Sequence, residues 1–247
     1  PFYRDKFDAA GVHPDDLREI ADLSKFPLTT RAELATEPAD CRVAAGLDPD
    51  RLPVGWTSGS SGEKLPVYLT WPEIRIRQAV HFRSLLAMGF RWNERLVKLS
   101  SDRPHRPNFY ERLGIYRSFS LPLRMALEER YRELQKLDAD FLWVHPSVFL
   151  AMCEHAGRPM NEWLKARAVL SSTEMLPATQ RRSIQDELGA DVFNCYGAVE
   201  FGRIAHECPA HEGLHVTGDQ LIVEILKDGR PVVTGESGTV VITSLAQ

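Results

Sequence analysis

Thr57 to Pro66, TSGSSGEKLP, concentrates hydroxyls, two glycines and a lysine in one short turn. Gly59 and Gly62 open backbone conformations closed to other residues, so consecutive amides can point inward and form a nest for anionic oxygens. Thr57, Ser58, Ser60 and Ser61 add hydroxyl donors, and Lys64 adds a positive charge. That set suits a triphosphate. It is not a Walker loop, because no Ser or Thr follows Lys64. A flexible glycine-serine loop is the other reading of the same residues.

Three further segments carry chemistry. In FNCYGAVEFG, Phe193 to Gly202, Tyr196 and Gly197 end a strand-like run and Glu200 follows within one turn. A ring there can stack on a base, and the carboxylate can hold Mg2+ carrying phosphates. SSTEMLP, Ser171 to Pro177, places Ser172, Thr173 and Glu174 directly after another strand-like run, where loops at the carboxyl ends of parallel strands build ligand sites. His206, Cys208, His211 and His215 lie close together. Imidazole and thiolate can satisfy tetrahedral Zn2+, with Cys195 as a further ligand. Their spacing matches no standard zinc signature, so a polar surface loop stands beside a structural zinc.

These segments need a scaffold. Residues 1–50 read as helices with short connections, and Thr30 followed by Glu33 reads as a capping box. Residues 51–215 alternate. A strand at Val67 to Leu69, helix 72–88, strand 95–99, helix 126–137, strand 141–144, a helix from Ser147, strand 167–170, helix 178–188 and strand 192–195 imply βαβ units in a helix-covered sheet. Residues 216–247 read as β-rich, with strands at 221–226, 232–233 and 239–243 and a turn at Asp228-Gly229. The expected class is α/β, a mixed βαβ sheet covered by helices and followed by a β-rich segment, all within one large domain.

Composition bounds the rest. The 247 residues are 43% hydrophobic and 26% charged, with formal net charge -4, which leaves no basic footprint for nucleic acid. Arg103, His105 and Arg106 form only a short basic patch. No apolar run reaches the roughly 18 residues of a membrane span. The four scattered cysteines do not read as a disulfide framework, and a reducing cytoplasm is the expected home. The chain opens at Pro1 inside a helical pattern and stops after GTVVITSLAQ, so the expectation is a fragment of a longer protein. Oligomeric state is not readable, and a homodimer stays open.

The four motifs TSGSSGEKLP, SSTEMLP, FNCYGAVEFG and GESGTVVITSL, in that order, resemble the adenylate-forming superfamily and within it the phenylacetate–coenzyme A ligase-like group. The opening PFYRDKFDAAGVHPDDLREIADLSKFPLTTRAEL and the segment HECPAHEGLHV look like that group too. The resemblance implies the large N-terminal domain of such an enzyme. It implies ATP-dependent activation of a small carboxylic acid, with a lean to aryl or arylacetic acids, as an acyl-adenylate, then thioester formation with coenzyme A. Thr57, Ser58, Gly59, Ser60, Ser61, Gly62 and Lys64 would contact phosphates, Ser172, Thr173 and Glu174 would border adenine beneath a stacked Tyr196, and Glu200 would bind Mg2+. WVHPS, Trp143 to Ser147, is similar to a segment beside the acyl pocket. His145, with Pro146 and Ser147, then reads as a substrate wall or, equally, as a satisfied core histidine.

The chain departs from the pattern in places. Val199 stands where the family usually carries Thr or Ser, and Glu63 lengthens the loop before Pro66. The family's ribose-binding aspartate and its mobile carboxy-terminal domain with a catalytic lysine fall beyond Gln247. A degenerate, non-catalytic nucleotide- or acyl-binding member, or a zinc-stabilised interaction module, are the alternatives.

Overall fold

The computed structural model describes residues 2–57, 64–99 and 107–245. Its contacts divide the chain into two units. The first comprises residues up to Ile76, the segment Val199–Phe201 and residues from Gly218 onward; the second comprises Arg77–Ala198 and Gly202–Thr217.

In the first unit, helix α1 (Phe2–Ala10) and helix α2 (Arg31–Thr36) precede a hairpin of β1 (Val54–Trp56) and β2 (Pro66–Tyr68). The capping box forms as its residue types dictate. Thr30 Oγ1 accepts from the Glu33 amide at 3.3 Å, and Glu33 Oε2 accepts from the Thr30 amide at 2.7 Å. Between the two helices, Pro14–Asp16 forms a three-residue 3-10 turn.

The second unit carries a seven-stranded sheet. Helix α3 (Trp71–Ala87), whose residues from Arg77 onward belong to this unit, precedes β3 (Arg95–Lys98). There follow α4 (Phe109–Arg112), β4 (Arg117–Ser120), α5 (Leu127–Lys136), β5 (Phe141–Val144) and α6 (Pro146–Ala156). Next come β6 (Ala168–Ser171), α7 (Ala178–Leu188), β7 (Asp191–Ala198), β8 (Gly202–His206) and β9 (His215–Val216). The order is β4-β3-β5-β6-β7-β8-β9. Pairings from β4 to β7 are parallel, and β8 and β9 add antiparallel.

Strand periodicity sends alternate residues to opposite faces. Val97, Leu142, Val144, Val169 and Val192 pack under α5, α6 and α7, whereas Leu96, Phe141, Ala168, Leu170 and Phe193 pack against Leu85 of α3 and Met88 just after it. With both faces covered, the parallel strands read as continuous apolar runs.

The chain continues in the first unit with β10 (Leu221–Lys227), β11 (Arg230–Pro231) and β12 (Thr239–Ser244), in the order β11-β10-β12. Asp228 and Gly229 both adopt positive φ, the conformation of a two-residue hairpin turn. The tight turn puts Arg230–Pro231, rather than the expected Val232-Val233, on the partner strand.

Candidate functional site

In the first unit, β1 and β2 lead into and out of the glycine-serine turn. Ser58, Gly59, Ser60, Ser61 and Gly62 lie outside the described residues, but the base of the turn is defined. The Thr57 amide donates to the Leu65 carbonyl at 3.1 Å, and the Leu65 amide donates to Thr57 Oγ1 at 3.0 Å. Thr57 is buried and Lys64 is exposed. A Cβ built on Gly55 would stand 2.7 Å from Val199 Cγ1, so β1 lies directly on Val199 because Gly55 has no side chain. Val199, where the resemblance implies a hydroxyl residue, is therefore a packing residue against β1 at the root of the turn. Its neighbour Glu200 is half-buried.

In the second unit, the loops after β5 and β6 meet at the carboxyl edge of the parallel strands. Three contacts join them in sequence order. Trp143 Nε1 donates to Ser172 Oγ at 2.5 Å, Thr173 Oγ1 lies 2.7 Å from His145 Nδ1, and the Ser147 amide and hydroxyl donate to the Glu174 carboxylate at 2.7 and 3.0 Å. Pro146 is the first residue of α6 and Ser147 the second, so Glu174 supplies negative charge at a helix start that favours it. Thr173 adopts φ +78°, a strained value for a β-branched residue. The segments read separately as an adenine border and a substrate wall thus form one ledge.

Tyr196 projects with 43% of its surface exposed. The β7–β8 register is irregular between Tyr196 and Gly197, and a Cβ on Gly197 would come 2.6 Å from the Gly202 carbonyl oxygen. Backbone cannot swing aside as a side chain can. Gly197→Ala should therefore cost about 1–3 kcal/mol through overpacking, read as a lower urea midpoint; an unchanged midpoint would show that the strands separate freely.

Three residues that gather on the Trp143 ring, Lys98, Arg203 and His81, were not singled out from sequence. Lys98 ends β3 and Trp143 is its register partner on β5. Lys98 Nζ lies 5.3 Å from the Trp143 ring centroid and the Arg203 guanidinium carbon 5.4 Å. His81 of α3 packs on the same indole at 5.0 Å, with its Nδ1 3.4 Å from Arg203 Nη2. Burial, then the Lys98 and Arg203 charges, holds His81 well below its ordinary value of 6.5. Its imidazole is neutral at pH 7. The one available signal was parity: Lys98 follows Leu96 on an inward-facing position of a buried strand.

The His/Cys group does not assemble as a zinc site. His211 Nε2 lies 2.8 Å from Asp191 Oδ1, His211 Nδ1 lies 3.2 Å from Glu207 Oε2, and its ring stacks on Phe193. His206 and His215 face each other across β8 and β9 at 6.1 Å between ring centroids. Among the described residues no three His, Cys, Asp or Glu side chains converge as metal ligands. Cys208 is free, and burial pushes the free Cys195 thiol up to about 12. The expectation for zinc at His206, Cys208, His211 and His215 is corrected on this geometry. Glu207, which was not singled out, organises the segment instead.

These groups set an acid response. His81 and His206 both sit below 6.5, chiefly through burial, so the unfolded chain takes up protons first as pH falls past that value and stability declines. Burial raises Glu94 and Glu207, but their contacts with Arg167 and Arg91 and with Arg181 and Asn194 leave both below 4.5. Their stabilisation is complete above that pH and lost beneath it. Urea midpoints should thus fall in two stages, first below pH 6.5 and again below 4.5; a flat profile from pH 7 to 5 would contradict the histidine assignment.

No family model matches the chain. It is 29% identical to the phenylacetate–coenzyme A ligase of Escherichia coli K12 and 28% identical to that of Aromatoleum evansii, aligned along all of this chain and 59% and 58% of theirs. The chain thus spans about three-fifths of the length of these curated relatives. An open conformation of 2-hydroxyisobutyryl-CoA ligase in complex with 2-HIB-AMP and CoA superposes with TM-score 0.80 at 20% identity, over 99% of this chain and 61% of that one. O-succinylbenzoate coenzyme A synthetase from Bacillus subtilis, in complex with AMP, gives TM-score 0.56 at 17% identity over 77% of this chain and 40% of that one. The chain is thus similar along its whole length to the phenylacetate–coenzyme A ligases, and it shares its fold with CoA ligases of known structure.

Proposed function

We propose that this chain forms part of an acid–thiol ligase that activates a small carboxylic acid with ATP and passes the acyl group to coenzyme A. The observation that carries the reading is the seating of the glycine-serine turn. Thr57 and Leu65 close its base, and β1 rests on Val199 beside Glu200.

The substrate carboxylate attacks the α-phosphorus of ATP, pyrophosphate leaves, and the coenzyme A thiol then displaces AMP from the acyl-adenylate. The protein need not supply a nucleophile. Its task is to align two anions and offset charge, so positioning and electrostatics supply the rate. In the first unit, the turn amides, the hydroxyls of Thr57, Ser58, Ser60 and Ser61, and Lys64 take the phosphates. Glu200 is the hard oxygen donor that Mg2+ requires, half-buried beside the root of the turn. Bound Mg2+ would supply positive charge to the phosphate oxygens. In the second unit, Ser172, Thr173 and Glu174 border the adenine, Tyr196 offers an exposed ring face, and His145 with Ser147 holds the acid side of the ledge. The curated relatives' name supports a lean to an aryl or arylacetic acid.

ATP–pyrophosphate exchange by the intact protein over aryl and alkyl acids tests the reading. Exchange with some acids, followed by thioester formation when coenzyme A is added, is expected. Measurable ATP binding without exchange for any acid would sink it.

A further inference from the structure

The cations around Trp143 have no role in adenylation as derived above. Lys98, Trp143 and Arg203 lie at the carboxyl edge of the parallel strands or on the adjoining β8, beside the face packed against α3. Aromatic rings line that face: Phe82 packs on Tyr116, Tyr116 on Phe90, and His81 on Trp143. Among the described residues, neither Lys98 nor Arg203 forms an ion pair. Among the described residues, Glu111 is the one carboxylate whose charge reaches Lys98, and none reaches Arg203. His81 is neutral, and the Cys195 thiol beside Arg203 stays protonated because burial pushes it up to about 12. Glu111, whose field reaches Lys98, already accepts from the Asn108 and Ser118 amides at 2.6 and 3.1 Å.

Two half-buried cations beside one indole repel each other and lose hydration. Burial lowers the proton affinity of both Lys98 and Arg203. Proteins seldom bury charge without a partner. An anion placed between them would relieve the repulsion and gain two charge-assisted hydrogen bonds. The nucleotide phosphates already have the glycine-serine turn. The reacting carboxylate must reach the phosphate rather than be held in an ion pair.

We propose that Lys98 and Arg203 receive a second carboxylate on the acid substrate, so that the acid activated is a dicarboxylic one whose apolar middle lies against the Trp143 aromatic face. This inference rests on the adenylation reading for its use, though not for its binding test. Arg203 offers a planar fork to the carboxylate, Lys98 a point charge, and the neutral His81 imidazole orients the guanidinium through Nδ1.

The test is calorimetric binding to the intact protein of two matched pairs, 4-carboxyphenylacetate with phenylacetate and glutarate with valerate, plus inorganic phosphate. At least one dicarboxylate should bind about tenfold or more tightly than its monoacid, the worth of one charged hydrogen bond. Lys98→Met and Arg203→Met should each abolish that preference while monoacid binding and circular dichroism stay unchanged; Arg203→Lys should restore part of it. Equal binding of diacid and monoacid overturns the proposal. So does a preference that survives Lys98→Met, or binding of phosphate alone at the pair. Exchange assays on the same panel separate the two ideas: no exchange with any acid counts against adenylation, whereas the calorimetry reads the anion site either way. Substitutions here remove unpaired charge, and Lys98→Gln serves if the methionine variant misfolds.

Discussion

Glu207→Ala should lower the stability of the second unit by about 3 kcal/mol, with a matching fall in the urea midpoint and little change in slope. The carboxylate is 7% exposed and fully engaged. Oε1 accepts from Arg181 Nη2 at 2.7 Å, and Oε2 accepts from the Asn194 amide at 2.7 Å and lies 3.2 Å from His211 Nδ1. Those contacts pin α7 to β7 and to the loop after β8. Removing the acid leaves Arg181 without its carboxylate partner and the Asn194 amide without an acceptor, and each penalty exceeds the net worth of the bonds themselves. Among the described residues, the Arg181 guanidinium is then left with its bond to the Val192 carbonyl. Replacing both members, Arg181→Met with Glu207→Leu, should recover much of the loss, because an apolar pair carries no uncompensated charge. A loss below about 1 kcal/mol for the single variant would mean that water replaces the carboxylate.

Glu200→Gln should lower ATP–pyrophosphate exchange by about a hundredfold or more, the scale found when a group aimed at developing charge is removed. The amide keeps the shape and loses the charge that a divalent cation needs. Glu200→Asp, which keeps the charge on a shorter stem, should fall between the two. The fold should be untouched, so unfolding midpoints serve as the control. Exchange by Glu200→Gln within threefold of the parent would remove Glu200 from the proposed magnesium site and leave the cation to other oxygens.

Much of the scaffold was legible before any coordinates. The expected strand 141–144 and helices 72–88 and 178–188 appear as Phe141–Val144, Trp71–Ala87 and Ala178–Leu188, because long apolar periodicity and short buried runs are local signals. Strand β4, Arg117–Ser120, went unread: RSFS has no apolar run, and it is a strand because β3 offers it an edge. β8 was hidden for a similar reason. GRIAH carries a charge where a core strand would show none, and it pairs antiparallel to β7 through the irregularity at Gly197.

The site divided along the same line. Motifs contiguous in the chain, such as SSTEMLP and WVHPS, could be named from residue types alone, and so could the order in which this chain resembles the ligases it matches. What those residues touch could not. Ser172 with Trp143, Thr173 with His145, and Glu174 with Ser147 meet across adjacent strands far apart in sequence, and that pairing follows from sheet register rather than local spacing. The clustering of His206, Cys208, His211 and His215 along the chain suggested a metal, yet strand direction turned them to different partners. Conversely, Lys98, Arg203 and His81 are scattered in the sequence and converge on one indole only because β3, β5, β8 and α3 share a face. Local residue chemistry determined the elements and motifs; long-range strand order decided which charges became neighbours.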